Sequence, residues 1–195
     1  TCLDAAQTAR VKRVFLTSSA AVYGGQESPL KETDQLAPLS EYGRSKVEME
    51  KLAAKHQQTS TTLRIGNVAG ADAILGNWHP EMAIDTFPDG STPKRSYIGV
   101  RTLAEIVQKL IKIESLPPVL NLAAPRSIQM NELLDSANLA YNRKQASEKT
   151  IPNVTLDITL LEQYVTFNQE DSLPKSMVTQ WKRTKVKDEL AQTDF

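Results

Sequence analysis

Cysteine is all but missing from this chain. Cys2 is the only one among 195 residues, so no internal disulfide can form, and a reducing compartment is the natural setting. Histidine occurs twice, at His56 and His79, and two such distant residues with a single cysteine make no metal-ligand constellation. No apolar run approaches the roughly 18 residues a membrane helix needs. The opening Thr1-Cys2-Leu3-Asp4-Ala5-Ala6 lacks the basic-then-apolar pattern of a secretion signal. Excess charge is missing too: Lys+Arg and Asp+Glu both number 23, which gives no electrostatic footing for nucleic acid or an anionic membrane. A cytoplasmic protein is the expectation. With 40% hydrophobic and 24% charged residues, the chain has the makings of one domain with a sizeable core.

Glycine is present but wrongly spaced for a phosphate cradle. None of the eight falls in a G-x-x-G-x-x-G or G-x-G-x-x-G arrangement, so a pyrophosphate-binding turn is absent. The first residues are already mid-pattern. Leu3, Ala5, Ala6 and Ala9 have helical spacing and lead into Val14-Phe15-Leu16, a run suited to a buried parallel strand. A helix feeding such a strand belongs to the middle of an α/β protein. The expectation is therefore that an N-terminal half, of roughly two βαβ units of ~30 residues each, precedes Thr1.

Further along, Gly24 to Pro38 reads as a loop, and Ser40 is placed to cap a helix reaching about Lys55, with Val47, Met49 and Leu52 as its packing residues. Thr61-Thr62-Leu63-Arg64-Ile65 is a β-branched run expected to form the next parallel strand. The stretch from Gly66 to Pro93 reads as a long irregular binding or lid segment. Ser96–Val100 is then a short strand before a helix from about Thr102, with Leu103, Ile106, Val107, Leu110 and Ile111 on one face. Val119–Leu122 is another strand, Ser127 the expected cap of a helix bearing Met130, Leu133, Leu134 and Ala137, and Met177–Trp181 part of a terminal helix.

The chemistry concentrates at two places. Tyr42 and Lys46 stand four apart on the helix after Ser40, so they share one face with Cβ atoms about 5–6 Å apart. A neighbouring ammonium favours the phenolate, which suits the tyrosine to general acid–base work. Upstream, Ser18-Ser19 ends the first strand, where open α/β sheets bind ligands. Either hydroxyl is available to hold a substrate oxygen against the phenol. Thr17-Ser18-Ser19-Ala20-Ala21 is not the G-x-S-x-G elbow of a serine hydrolase, and no histidine stands by it.

Together, Thr17-Ser18-Ser19-Ala20-Ala21-Val22-Tyr23-Gly24 and Tyr42-Gly43-Arg44-Ser45-Lys46 resemble the extended short-chain dehydrogenase/reductase superfamily, within it the NAD-dependent epimerase/dehydratase family. Leu63-Arg64-Ile65-Gly66-Asn67, Arg95-Ser96-Tyr97-Ile98 and Val119-Leu120-Asn121-Leu122-Ala123 extend the resemblance to about residue 140. It implies a Rossmann-type parallel sheet, here its C-terminal half without the first βαβ units, and a small C-terminal substrate lobe. Residues 1–125 would belong to the dinucleotide-binding domain, with a substrate-loop segment at 66–95, and residues 126–195 to the lobe. Ser19, Tyr42 and Lys46 match the catalytic set. Tyr42, Lys46 and Ser18 fall beside the cofactor, which is NAD or NADP, because the residues that choose between them are not in this sequence. Ser19, Asn67, Arg95 and His79 are the substrate-binding candidates. Arg64 reads as a structural charge, Tyr23 as core or pocket wall and Arg95 equally as a surface arginine.

The implied partner is a small molecule, with a homodimer as a further possibility. The implied reaction is hydride transfer at a substrate hydroxyl, in an oxidoreductase or an epimerase. Three departures matter. Gly99 stands where the family has histidine, Thr102 where it has aspartate, and only 27 residues separate Asn67 from Arg95. So short a segment leaves little chain to enclose a nucleotide, and the expected substrate is a small sugar, sugar acid or related polyol. A nucleotide-sugar epimerase or dehydratase is the alternative, and a non-catalytic NAD(P)-sensing regulator of the same fold a third.

Overall fold

The computed structural model describes residues 1–192, and the side chains of residues 1–184. Three strands carry the site: β1 (Val14–Ser19), β2 (Ser60–Ile65) and β6 (Val119–Leu122), parallel and in the order β1-β2-β6. Parallel strands require crossovers. The β1–β2 crossover is made by α2 (Glu41–Lys55), which follows a 3₁₀ turn at Ala20–Val22 and the 24–39 loop. Ser40 caps α2, its Oγ accepting from the Gly43 N–H at 3.1 Å, and Glu41 in the first turn and Lys55 in the last suit the helix dipole. A short α1 (Cys2–Thr8), burying Leu3 and Ala6, precedes β1.

A second sheet continues the chain. β3 (Asn67–Ala69), inside the stretch expected to be irregular, pairs in parallel with β5 (Lys94–Gly99). β5 also pairs antiparallel with β7 (Ser127–Gln129) and parallel with β9 (Asn153–Val154). β4 (Ala83–Thr86), also within that stretch, pairs with β8 (Asn142–Gln145). Segment 66–99 thus shares its sheets with residues beyond 126.

Two apolar cores result. Val22, Tyr23, Leu30, Val47, Leu63, Ile106, Leu110, Leu120 and Leu122 pack around the first sheet. Leu75, Ile84, Tyr97, Ile128, Leu133, Met177 and Trp181 form the second. β5 lies between them: Tyr97 enters one core and its neighbour Ile98 the other, as the two-residue repeat of a strand dictates.

The helices depart from the sequence expectations in specific ways. On α2 the buried stripe is Gly43, Val47, Glu50 and Ala53, so Leu52 falls off it and is 70% exposed, while a carboxylate, Glu50, lies in the stripe. α3 (Val100–Ile111) buries Ile106 and Leu110, but Ile111, about 100° further round, faces out. α4 (Met130–Ala137) is capped by Gln129, because Ser127 belongs to β7. Val14, Phe15 and Leu16 are half-buried, since among the described residues β1 pairs with β2 alone.

The short α5 (Thr159–Glu162) leads to a 3₁₀ turn at Gln169–Ser172 and α6 (Pro174–Gln192). α6 accounts for both unusual residues at the start of α3. A Cβ on Gly99 would lie 2.2 Å from Gln180 Oε1. That oxygen accepts from the Arg101 and Thr102 N–H groups at 3.0 and 3.1 Å, while Gln180 Nε2 donates to Thr102 Oγ1 and that hydroxyl to Asp171. The helix is capped from a distance by another helix's glutamine, which needs the space a glycine leaves.

Candidate active site

The register of the first sheet sets the geometry of the site. Ser19 pairs with Ile65, so β1 and β2 end side by side, at the edge where parallel α/β sheets bind ligands. Ser19 is extended and its Oγ accepts from the Ala21 N–H at 3.2 Å, which starts the 3₁₀ turn and leaves the hydroxyl proton for another acceptor. Two residues past Ile65, Asn67 opens β3. Gly43 lets α2 come close enough to matter. A Cβ there would sit 2.6 Å from the Ala21 carbonyl oxygen, two residues after Ser19.

Tyr42 and Lys46 stand on α2 as their spacing requires. Lys46 Nζ lies 5.6 Å from the centre of the Tyr42 ring and donates to the Thr17 carbonyl at 2.8 Å. Tyr42 is 56% exposed at the cleft mouth. Ser19, Tyr42, Lys46 and Asn67 line one open cleft of about 320 Å³, facing Asp72 and its turn. Below Asn67 lies its register partner Tyr97, fully buried; burial, reinforced by the Asp72 carboxylate, holds its phenol well above the usual range.

Three other sequence candidates are placed differently. Ser18 borders the cleft, yet its side chain is buried and donates to Glu50 Oε1 at 2.5 Å. Its hydroxyl proton is taken up inside the protein by that carboxylate. Arg95 is neither at the cleft nor free: its guanidinium donates to the carbonyls of Lys94, Ile151 and Pro152 at 2.8, 2.9 and 3.1 Å, stitching β5 to the segment before β9. His79 is exposed in a turn where its carbonyl accepts from the Met82 N–H, away from the cleft lining. Among the described residues, no group of three or more His, Cys, Asp or Glu is arranged to hold a metal, and no helix is long and apolar enough to cross a membrane.

Beneath the site runs a buried polar chain the sequence reading missed. Glu50 is 7% exposed and receives Ser18 together with Arg64, whose Nη2 reaches Oε2 at 2.7 Å and whose Nε reaches both oxygens at 3.2 Å. Arg64 Nη1 donates to Tyr23 Oη at 2.8 Å, and Tyr23 Oη donates to Asn121 Oδ1 at 2.7 Å. Burial pushes the Tyr23 phenol up to about 12, against the opposing pull of Arg64. The signal for Glu50 was its spacing: 43, 47 and 50 continue one helical face.

A hydroxyl at a strand end, a phenol and an ammonium one turn apart, and an amide across the cleft are what the residues offer. Residues 1–123 match the model of the NAD dependent epimerase/dehydratase family. The chain belongs to that family. A UDP-glucose 4-epimerase from Azospirillum brasilense is 37% identical over 136 residues, 54% of this chain and 38% of that protein. The dTDP-4-dehydro-6-deoxyglucose reductase of Escherichia coli is 27% identical over 147 residues, 68% of this chain and 46% of that protein. The chain thus spans less than half the length of these relatives. Among solved structures, an NAD-dependent NDP-hexosamine 5,6-dehydratase of tunicamycin biosynthesis superposes with a TM-score of 0.73 at 19% identity, over 93% of this chain and 67% of that one. A UDP-glucose 4-epimerase from Stenotrophomonas maltophila, with bound NAD and formylated UDP-arabinopyranose, gives 0.71 at 22% identity, over 95% and 68%. At such identities the shared property is the fold, a Rossmann-type α/β architecture.

Proposed function

We propose that this chain carries the catalytic residues of an NAD-dependent epimerase or dehydratase acting on a nucleotide-linked sugar. The observation that carries the reading is the convergence of Ser19, Tyr42 and Lys46 on one cleft in a member of this family. The donor set suits a dinucleotide: the Lys46 ammonium beside the sheet edge is placed to hold the hydroxyls of a nicotinamide ribose. NAD, when bound, supplies a hydride acceptor and donor. Tyr42 takes the proton of the substrate hydroxyl as the hydride leaves the carbon that bears it, so that a C–H and an O–H bond break and a carbonyl forms. Ser19 donates a hydrogen bond from its free hydroxyl to that carbonyl oxygen, and the Lys46 ammonium stands 5.6 Å from the centre of the Tyr42 ring. Asn67 holds the substrate from across the cleft.

The short segment between Asn67 and Arg95 had favoured a small free sugar. The relatives point instead to the nucleotide-sugar alternative, and the fold removes the objection. Segment 66–99 does not enclose a substrate alone, because it shares sheets with residues 127–129, 142–145 and 153–154. A nucleotide pocket has that second layer to draw on.

The test is a substrate panel with products separated by chromatography, since epimerisation and dehydration return the hydride and leave no net NADH, run on the full-length protein and its Tyr42→Phe variant. Turnover of a UDP- or dTDP-sugar is expected, lowered about 10²–10⁴-fold by the substitution. Turnover of free sugars alone would reject the substrate class, and an unaffected variant would reject the catalytic assignment.

A further inference from the structure

We propose that Glu50, clamped by Arg64 and gripping Ser18, is a positioning residue that fixes the Tyr42–Lys46 face of α2 against the end of β1; this rests on the catalytic reading of Ser19, Tyr42 and Lys46. Tyr42 is more than half exposed, and among the described residues no hydrogen bond holds its phenol, so the helix itself must place it. Tyr42, Lys46 and Glu50 follow one another at four-residue intervals, which puts Glu50 about 12 Å along the axis from Tyr42 and about 80° round it, on the buried side. α2 is tied to successive residues of β1, Lys46 to the Thr17 carbonyl and Glu50 to the Ser18 hydroxyl.

The two ties differ in kind. Lys46 is long, half-buried and the group that must turn to a ribose when a dinucleotide binds. Glu50 is buried, carries the guanidinium of β2 on its other side, and has no second task. While Lys46 is engaged elsewhere, the Glu50 tie keeps α2 from rotating or sliding along β1. Because Ser18 directly precedes Ser19, the same bond sets the spacing between the phenol-bearing helix and the serine hydroxyl. The anchored group is buried and charge-assisted, the stronger sort of hydrogen bond.

In the full-length protein, Ser18→Ala removes this tie and leaves the Glu50–Arg64 pair intact. The expected result is a drop in kcat of about tenfold, since misplacement near 1 Å costs up to ~100-fold. NAD affinity by titration should stay at its wild-type value, while the thermal midpoint falls by a few degrees for the lost buried hydrogen bond, so kcat is read well below it. An unchanged kcat overturns the proposal. So does a loss matched by weaker NAD binding, which would make Ser18 a cofactor contact, or one that vanishes when kcat is compared at equal fractions folded, which would make the bond merely structural. Tyr42→Phe, measured alongside, separates two failures. If it keeps full turnover, the catalytic reading itself has failed; if it is inactive while Ser18→Ala is unimpaired, only the positioning role has.

Discussion

Gly43→Ala puts one methyl group at the tightest contact of the site. Its Cβ would stand 2.6 Å from the Ala21 carbonyl oxygen and 2.9 Å from Pro38 Cβ. A tolerable carbon–oxygen contact is about 3.3 Å, so α2 and the turn after Ser19 must separate by about 0.7 Å. Neither neighbour is a flexible side chain: one is main chain, the other a proline ring. Alanine gains about 1 kcal/mol over glycine as a helix former, while overpacking of this kind costs about 1–3 kcal/mol, so the net change in stability is small to moderately unfavourable. Catalysis should suffer far more. The displacement widens the gap between the Tyr42 phenol and the Ser19 hydroxyl, and a shift approaching 1 Å is worth up to ~100-fold in rate. Urea unfolding paired with steady-state turnover in the full-length protein checks both halves. A variant of nearly native stability with kcat reduced 10- to 100-fold is expected. Native kcat would show that the close approach of α2 to Ala21 does not set the reacting distance.

Lys46→Met removes the bond to the Thr17 carbonyl and the ammonium proposed for the ribose; NAD affinity should fall about tenfold or more together with kcat, the equivalent of one charge-assisted hydrogen bond, and unchanged titration and turnover would leave Lys46 a surface charge. Raising pH should destabilise the fold through Tyr23. Its phenol is held up at about 12 in the folded protein against about 10 when unfolded. Between those values the unfolded chain releases a proton that the native state keeps, so stability is intact below about pH 10 and falls by up to ~3 kcal/mol on the way to pH 12. Tyr23→Phe should lessen that slope in unfolding curves measured as a function of pH, leaving the part that the buried Tyr97 contributes. Gln180→Ala strips α3 of its borrowed cap and should cost about 1 kcal/mol in urea midpoint analysis with NAD affinity unaffected; no loss would mean that water caps the helix equally well.

The local parts of this protein were legible in its sequence. Tyr42 and Lys46 meet because four residues make one helical turn, Ser40 caps because its oxygen reaches the Gly43 N–H, and Ser19 lies at a strand end because an apolar β-run stops there. Arg64 could be read as structural from its place inside a strand, and the structure gives it Glu50 as partner. Each of these depends on neighbours within a few residues along the chain. What sequence spacing could not give was long-range pairing. Nothing in the local pattern around Arg95 shows that the carbonyls of Ile151 and Pro152 will take up its guanidinium, or that Gln180 will occupy the space left by Gly99. The polar Glu50 holds a buried position that its residue type does not announce, because only the folded sheet brings Ser18 and Arg64 to its two oxygens. The 66–93 stretch looked irregular because its strands are short and gain their partners from beyond residue 126. Chain-local chemistry chose the candidate groups; packing between distant segments decided which of them remain free to face the cleft.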